Sequence, residues 1–361
     1  MADWIAQDDA LRQLLASPPA RIGLDTEFMR TDTFWPRLAL LQAEVDGRIA
    51  LIDPTTGTDP APLAAVLANP AHCCVMHSAS EDLEALATWS CAIACLFDTQ
   101  IAASFTGLGA GLGYQKLVAT LVGVDLPKGE TRSDWLRRPL SERQLEYAAQ
   151  DVEHLAQLHD MLDARLGERG YRAWFEEDCA RLLERARRRE PDAEPQLAFR
   201  GAADWPRERQ ALLRRVLRWR DATARAIDRP RSWLLDDAHA LDLTARPPTT
   251  PDELTERTRG QRALRGAQRA ELLAVLNAPL APEEEGGLPI PRAPGPREKQ
   301  VIAAMKDVVA KQAAALDLPD GLLCARRHLE TLLASREWPT ALEGWRREVL
   351  HDGLLPLLPD A

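Results

Sequence analysis

Three apolar stretches between Arg21 and Asp53 set the pattern of the N-terminal half. They run over Ile22–Phe28, Leu38–Val45 and Ile49–Ile52, separated by Pro36 and by the turn-prone pair Asp46-Gly47. Runs of this length bounded by such turn formers predict an antiparallel meander of three strands. Helical and strand patterns then alternate. A helix is expected over 61–68, a strand over 73–77, a helix over 81–88, a short strand ending at Phe97, and helices over 99–105 and 115–121. That order predicts an α/β fold, a mixed sheet of three antiparallel strands plus parallel strands flanked by helices. Ser141-Glu142-Arg143-Gln144 is a capping-box pattern that opens one long helix through about Leu166. A further helix is expected over 172–189.

The rest of the chain is helical in pattern. A polar stretch from Arg189 to Pro195 reads as a domain boundary, and 206–277 carries helical periodicity broken at Arg246-Pro247-Pro248 and at Gly260. A Glu-, Gly- and Pro-rich linker follows from Glu283 to Pro296. The remaining ~65 residues are too few to build a deep core unless they pack on a neighbour. The boundaries predict segments at 1–190, 205–283 and 297–361.

Composition changes little in this picture. At 361 residues, 45% hydrophobic and 28% charged, the chain falls in the globular range. Its apolar runs are too short to cross a bilayer, and nothing at Met1-Ala2-Asp3-Trp4 reads as a secretory leader, so a soluble, cytoplasmic protein with no membrane partner is expected. The six cysteines are too sparse for a disulfide framework, and Cys91-x-x-x-Cys95 reads as buried thiols before it reads as a metal site. The formal net charge of −10 argues superficially against a nucleic-acid partner. Its distribution is uneven: residues 1–150 carry 19 acidic and 11 basic side chains, whereas 201–350 carry 22 acidic and 25 basic. Nine Arg crowd Arg207–Arg231 against three acids. They suit either an RNA backbone or acids on neighbouring helices.

Candidate chemistry lies among the carboxylates. Asp25 and Glu27 flank Thr26 in an apolar strand, and the period of two puts both on one face. Such a pair is costly in a buried setting unless a cation neutralises it, although an edge strand facing solvent explains it as well. Asp82 lies just after a predicted strand, where functional groups of open α/β sheets gather. Tyr147 and Asp151 are four apart on the capped helix and share a helical face. His77 reads as a packed histidine, and glycines 107, 109, 111 and 113 lack the Lys-Ser/Thr ending of a phosphate-binding loop.

Taken together these segments resemble a known family. Leu24-Asp25-Thr26-Glu27-Phe28, followed by Arg30, Thr33-Phe34-Trp35-Pro36 and Leu38–Gln42, is similar to the first exonuclease motif of the ribonuclease D family. His77–Leu86 resembles the second motif, and Tyr147-x-x-x-Asp151 the third in its tyrosine form. Phe97–Ala103 and Leu126–Trp135 are also similar, so the resemblance spans about residues 20–165 in order. Leu213–Arg225 looks like the opening helix of an HRDC domain.

The resemblance implies a DEDD-superfamily 3′–5′ exonuclease with a ribonuclease H-like fold, followed by two small all-α HRDC-type domains, the last divergent. It implies a monomeric exoribonuclease that releases nucleoside 5′-monophosphates from single-stranded RNA 3′ ends, tRNA precursors among them. Two divalent ions, Mg²⁺ or Mn²⁺, would be held by Asp25, Glu27, Asp82 and Asp151, since hard carboxylate oxygens suit those ions. Asp25 is expected to bridge both, Glu27 and Asp151 to serve the nucleophile side, Asp82 the leaving-group side, and Tyr147 to orient the attacking water. Lys128, Arg132 and Arg138 are candidates for phosphate contacts, and Phe28 and Gln42 for the terminal base or sugar. Two rivals are an exonuclease acting on DNA and an RNA-binding adaptor with an inactive nuclease fold.

Overall fold

A computed structural model describes residues 2–127, 129–130, 133–188 and 190–358. The chain divides into two compact units. Unit 1 comprises residues 1–29, 36–188 and 295–361, and unit 2 comprises 30–35 and 189–294.

Unit 1 is built on a six-stranded sheet. In chain order its elements begin with β1 (Asp3–Ile5), α1 (Asp8–Leu14), β2 (Arg21–Met29), β3 (Arg37–Val45), β4 (Arg48–Ile52) and α2 (Ala61–Leu67). Then come β5 (Cys73–Met76), α3 (Ser80–Thr88), β6 (Leu96–Asp98), α4 (Thr99–Phe105) and α5 (Tyr114–Leu121). The nuclease-like part closes with α6 (Glu142–Glu153), α7 (Leu155–Arg169) and α8 (Arg172–Arg187). The strand order is β1-β4-β3-β2-β5-β6. β2, β3 and β4 form the expected antiparallel meander, and β5 and β6 continue it in parallel beyond β2. The short edge strand β1, parallel to β4, was not legible in Asp3-Trp4-Ile5. Three residues with two of them exposed give no period to read.

The predicted helix 141–166 is in fact two. Its capping box forms as expected: the Ser141 hydroxyl accepts from the Gln144 amide, and the Gln144 side chain accepts from the Ser141 amide. The helix then breaks at His154. A continuous helix would bond the His154 N–H to the Gln150 carbonyl. Instead the Tyr114 hydroxyl stands between them, accepting from His154 N at 3.2 Å and donating to Gln150 O at 3.0 Å. Insertion of a polar side chain into the ladder is a recognised cause of a kink. Beyond it α7 buries Leu155, Leu158, Leu162 and Leu166. Gly23 in β2 leaves room for this approach, because a Cβ there would meet Leu155 Cβ at 3.3 Å.

Unit 2 contains α9 (Arg207–Ala226), α10 (Arg231–Leu234), α11 (Asp237–Ala245), α12 (Pro251–Arg257), α13 (Gly266–Asn277) and α14 (Pro282–Glu285). It has its own core around Leu213, Val216, Leu217, Leu234, Leu243 and Leu272. The arginine surplus of α9 and the loop after it is largely spent inside this unit. Arg214 pairs with Glu194, Arg215 with Glu284, Arg220 with Asp237, and both Arg225 and Arg231 with Asp221. Of the two readings open from the sequence, intramolecular pairing is the one these arginines display.

The C-terminal helices are α15 (Pro296–Leu316), α16 (Asp320–Leu323), α17 (Arg326–Ser335) and α18 (Trp345–Leu354). They share the core of unit 1: Met305, Val309, Leu332, Trp345 and Leu354 join one apolar cluster with the sheet and α7. A short segment obtains its buried surface by packing on a neighbour. Among the described residues no helix is long and apolar enough to cross a membrane.

Candidate active site

Sheet period and strand register place the carboxylates. Asp25 and Glu27 alternate along β2 with Leu24 and Thr26, so the two acids share one face. In the antiparallel pairing with β3, Asp25 lies opposite Gln42 and Glu27 opposite Leu40. Asp151, near the C-terminal end of α6, meets them there. Carboxylate oxygens of Asp25, Glu27 and Asp151 all lie within 4.8 Å of one another. Asp82 arrives differently, from the first turn of α3, and accepts a hydrogen bond from the hydroxyl of Thr26, whose side chain alternates to the other face of β2. It stays close enough to raise the pKa values of Asp25, Glu27 and Asp151.

The electrostatics of this cluster are unfavourable for four free carboxylates. Burial, followed by the charges of Asp82, Asp151 and Glu27, raises the Asp25 carboxyl well above its usual range. Burial and the charges of Asp151 and Asp82 push Glu27 up to about 9. Burial raises Asp151 to about 7 and Asp82 to about 6, each partly relieved by one hydroxyl donor, Tyr147 for Asp151 and Thr26 for Asp82. Half-buried hard oxygen donors that resist ionisation together form a donor set suited to divalent cations.

Tyr147 is held on three sides. Its hydroxyl bonds Asp151, its ring lies 6.0 Å from that of Trp135, which is 1% exposed, and the backbone of Gly129 covers its edge. A Cβ at Gly129 would sit 1.7 Å from Tyr147 Cε2, so only glycine fits this approach. Burial and the charges of Asp151, Glu27 and Asp25 raise the phenol pKa, which keeps it a proton donor at neutral pH. His77 is packed, with Nδ1 2.9 Å from the Thr99 hydroxyl and its ring edge-on to Tyr114.

Two of the expected substrate contacts are corrected. Gln42 is fully enclosed, 0% exposed on a strand paired on both sides, and so cannot touch a nucleotide. It lies beneath the site as the cross-strand neighbour of Asp25. Arg138 commits all five of its donors internally: to both oxygens of Asp53 and to the carbonyls of Trp135, Arg137 and Ala39. With Asp53 1% exposed, this is a structural ion pair that anchors the loop before α6, and no donor is left for phosphate. Phe28 is half-buried and outside the apolar clusters among the described residues. Lys128 and Arg132 lie outside the described residues. Thr26, Gly129 and Tyr114 were missed as supports for the site. Thr26 and Gly129 sat within quoted motifs, but a hydroxyl aimed across a strand and a ring lying against a glycine leave no one-dimensional signal.

An acid cluster of this kind, on a sheet of this strand order, defines a 3′–5′ exonuclease domain, and the comparisons agree. Residues 3–167 match the 3′–5′ exonuclease domain family, and residues 209–276 match the HRDC domain. Ribonuclease D of Xanthomonas oryzae pv. oryzae is 46% identical over 99% of both chains. That of Pseudomonas paraeruginosa is 37% identical over 99% of this chain and 98% of its own. The crystal structure of Escherichia coli RNase D, described as an exoribonuclease involved in structured RNA processing, superposes with a TM-score of 0.83 at 31% identity, covering 99% of this chain and 98% of the other. The chain belongs to the ribonuclease D family, whose members are metal-dependent 3′–5′ exoribonucleases.

Two outcomes follow from these contacts. Arg138→Ala should lower the unfolding free energy in urea by about 3 kcal/mol, because it strands a buried carboxylate, while leaving RNA affinity at the wild-type value; a phosphate-binding arginine would show the reverse. Because the folded pKa values of Asp82, Asp151 and Glu27 lie above ordinary carboxylate values, their contribution to stability is fully present below about pH 4 and is lost as pH rises through about 6 to 9. The melting temperature in chelator should therefore fall from pH 5.5 to 8.5 more steeply for the wild type than for Asp25→Asn/Asp151→Asn, and Mn²⁺ should restore it more at the higher pH.

Proposed function

We propose that Asp25, Glu27, Asp82 and Asp151 hold two divalent ions, Mg²⁺ or Mn²⁺, at the scissile phosphodiester of a single-stranded RNA 3′ end, and that Tyr147 orients the attacking water. The observation that carries this reading is the meeting of Asp25, Glu27 and Asp151 oxygens within 4.8 Å, with the Tyr147 hydroxyl bonded to Asp151. When bound, such ions supply an acidified water and offset the charge that gathers on the phosphoryl and leaving oxygens. Asp25 would help to hold both ions, Glu27 and Asp151 would hold the one that activates the water, and Asp82, fixed by Thr26, the one that offsets charge on the leaving 3′-oxygen. Tyr147 works as a donor and not as a base, because its surroundings hold the proton on the phenol. Phe28, half-buried at the end of β2, is suited to lie against the terminal base or sugar.

The products are nucleoside 5′-monophosphates, and the substrates include the 3′ ends of tRNA precursors in the cytoplasm. The near full-length likeness to ribonucleases D supports this choice over a DNA exonuclease, and the intact set of five residues opposes an inactive adaptor. The protein works as a monomer.

Mononucleotide release from a 3′-labelled RNA in Mg²⁺ tests the roles. Asp25→Asn and Asp151→Asn should each lower the rate by at least about 10²–10³-fold. Tyr147→Phe should keep RNA and Mn²⁺ affinity and lose turnover. Matched RNA and DNA strands should be degraded at different rates, the RNA faster, through its 2′-hydroxyls. Undiminished activity in excess chelator contradicts the reading.

A further inference from the structure

We infer that Tyr114, a residue outside the metal cluster, positions Asp151 by keeping a continuous helix from forming between α6 and α7. The inference rests on the reading of Asp151 as a metal ligand. Tyr114 belongs to α5 and is remote in sequence from the site, yet its hydroxyl occupies the one gap in the helical ladder at His154. The two groups it bonds, Gln150 O and His154 N, are an i, i+4 pair, and Asp151 lies between them in sequence. The phenol thus replaces a backbone bond instead of adding to a finished helix. His154 consequently leaves helical geometry, with φ −104° and ψ 2°.

The consequence for the site follows from helix geometry. Side-chain direction in a helix is set by a rotation of ~100° per residue about a common axis, so a break redirects everything on one side of it relative to the other. Here the two sides have different duties. α7 is fixed to the core by four fully buried leucines, whereas α6 carries Tyr147 and Asp151 over β3 and β4. The break lets Asp151 come within reach of Asp25 and Glu27 while α7 keeps its own seat. The Tyr114 ring is in turn steadied edge-on by His77, at a centroid separation of 5.7 Å. The wedge opposes local preference. Without the hydroxyl the sequence from Ser141 onward would close its own Gln150–His154 bond, and Asp151 would swing with the straightened helix. Tyr114 is therefore a positioning residue that maintains a less stable backbone for the sake of the site, a pattern expected where function and folding preference diverge.

Tyr114→Phe isolates the hydroxyl, since the ring and its packing on His77 are retained. With oligoadenylate RNA and MnCl₂ as probes, kcat should fall by about 10²-fold, the size of loss a ligand displaced by about 1 Å can cause. The KM for RNA should be unchanged and the Mn²⁺ concentration for half-maximal rate should rise. The melting temperature in chelator should match or exceed the wild type, because the helix regains its bond. Crystals of the variant should show His154 N bonded to Gln150 O. A variant that unfolds, melts lower with kcat intact, or retains the break with full turnover would overturn the inference. Asp151→Asn, assayed alongside, separates the two claims: if it too keeps full activity, the ligand reading itself fails; if it is inactive while Tyr114→Phe is active, only the wedge fails.

Discussion

Carboxylates do not share a half-buried site without compensation, and this chain places Asp25, Glu27 and Asp151 oxygens within 4.8 Å of one another with Asp82 beside them. Hydrophobic burial of the sheet brings the acids together. Burial raises every one of their pKa values, and repulsion within the cluster adds to it at Asp25, Glu27 and Asp151, so the folded protein stores at this point an affinity for positive charge. The hydroxyls of Thr26 and Tyr147 and the backbone N–H groups of Thr26 and Asp82 partly relieve the strain within the cluster, and none of them brings a full positive charge. Among the described residues Arg138 is taken up by Asp53, and none of the ion pairs found there brings an arginine to Asp25, Glu27, Asp82 or Asp151.

The scaffold serves this arrangement with ordinary means. The alternation of β2 commits Asp25 and Glu27 to one face and Thr26 to the other, so a single strand supplies two acids and the hydroxyl that fixes a third. The Ser141 capping box sets where α6 begins, and the Tyr114 hydroxyl sets where it ends. Between these two limits lie Tyr147 and Asp151, a turn apart. Gly129 and Trp135 then confine the phenol, which leaves its hydroxyl few directions other than toward Asp151.

Much of this is legible in the amino-acid sequence. The meander, the alternation that follows it, the capping box and the five acid-or-phenol positions all follow from periodicity, turn residues and the resemblance of residues 20–165 to ribonucleases D. What was not legible depended on through-space partners. The helix over 141–166 carries no Gly or Pro to mark its break, because the breaking group is a hydroxyl from Tyr114. Arg138 reads as a phosphate contact until Asp53, 85 positions away, is seen to take both ends of its guanidinium. Gln42 reads as a polar residue near the site until the strands on either side close over it. The arginines of α9 likewise suggest an RNA track by count, and their pairing with Glu194, Glu284 and Asp237 appears only in three dimensions.

The central claim is that the acid cluster exists to hold a pair of ions against RNA. The most direct measurement is anomalous diffraction from crystals soaked in MnCl₂ with a nucleoside 5′-monophosphate. The account requires two manganese peaks at the cluster, with Asp25 coordinating both and the phosphate between them. Manganese bound at no site touching Asp25, Glu27 or Asp151, under conditions where the same protein degrades RNA, would contradict it.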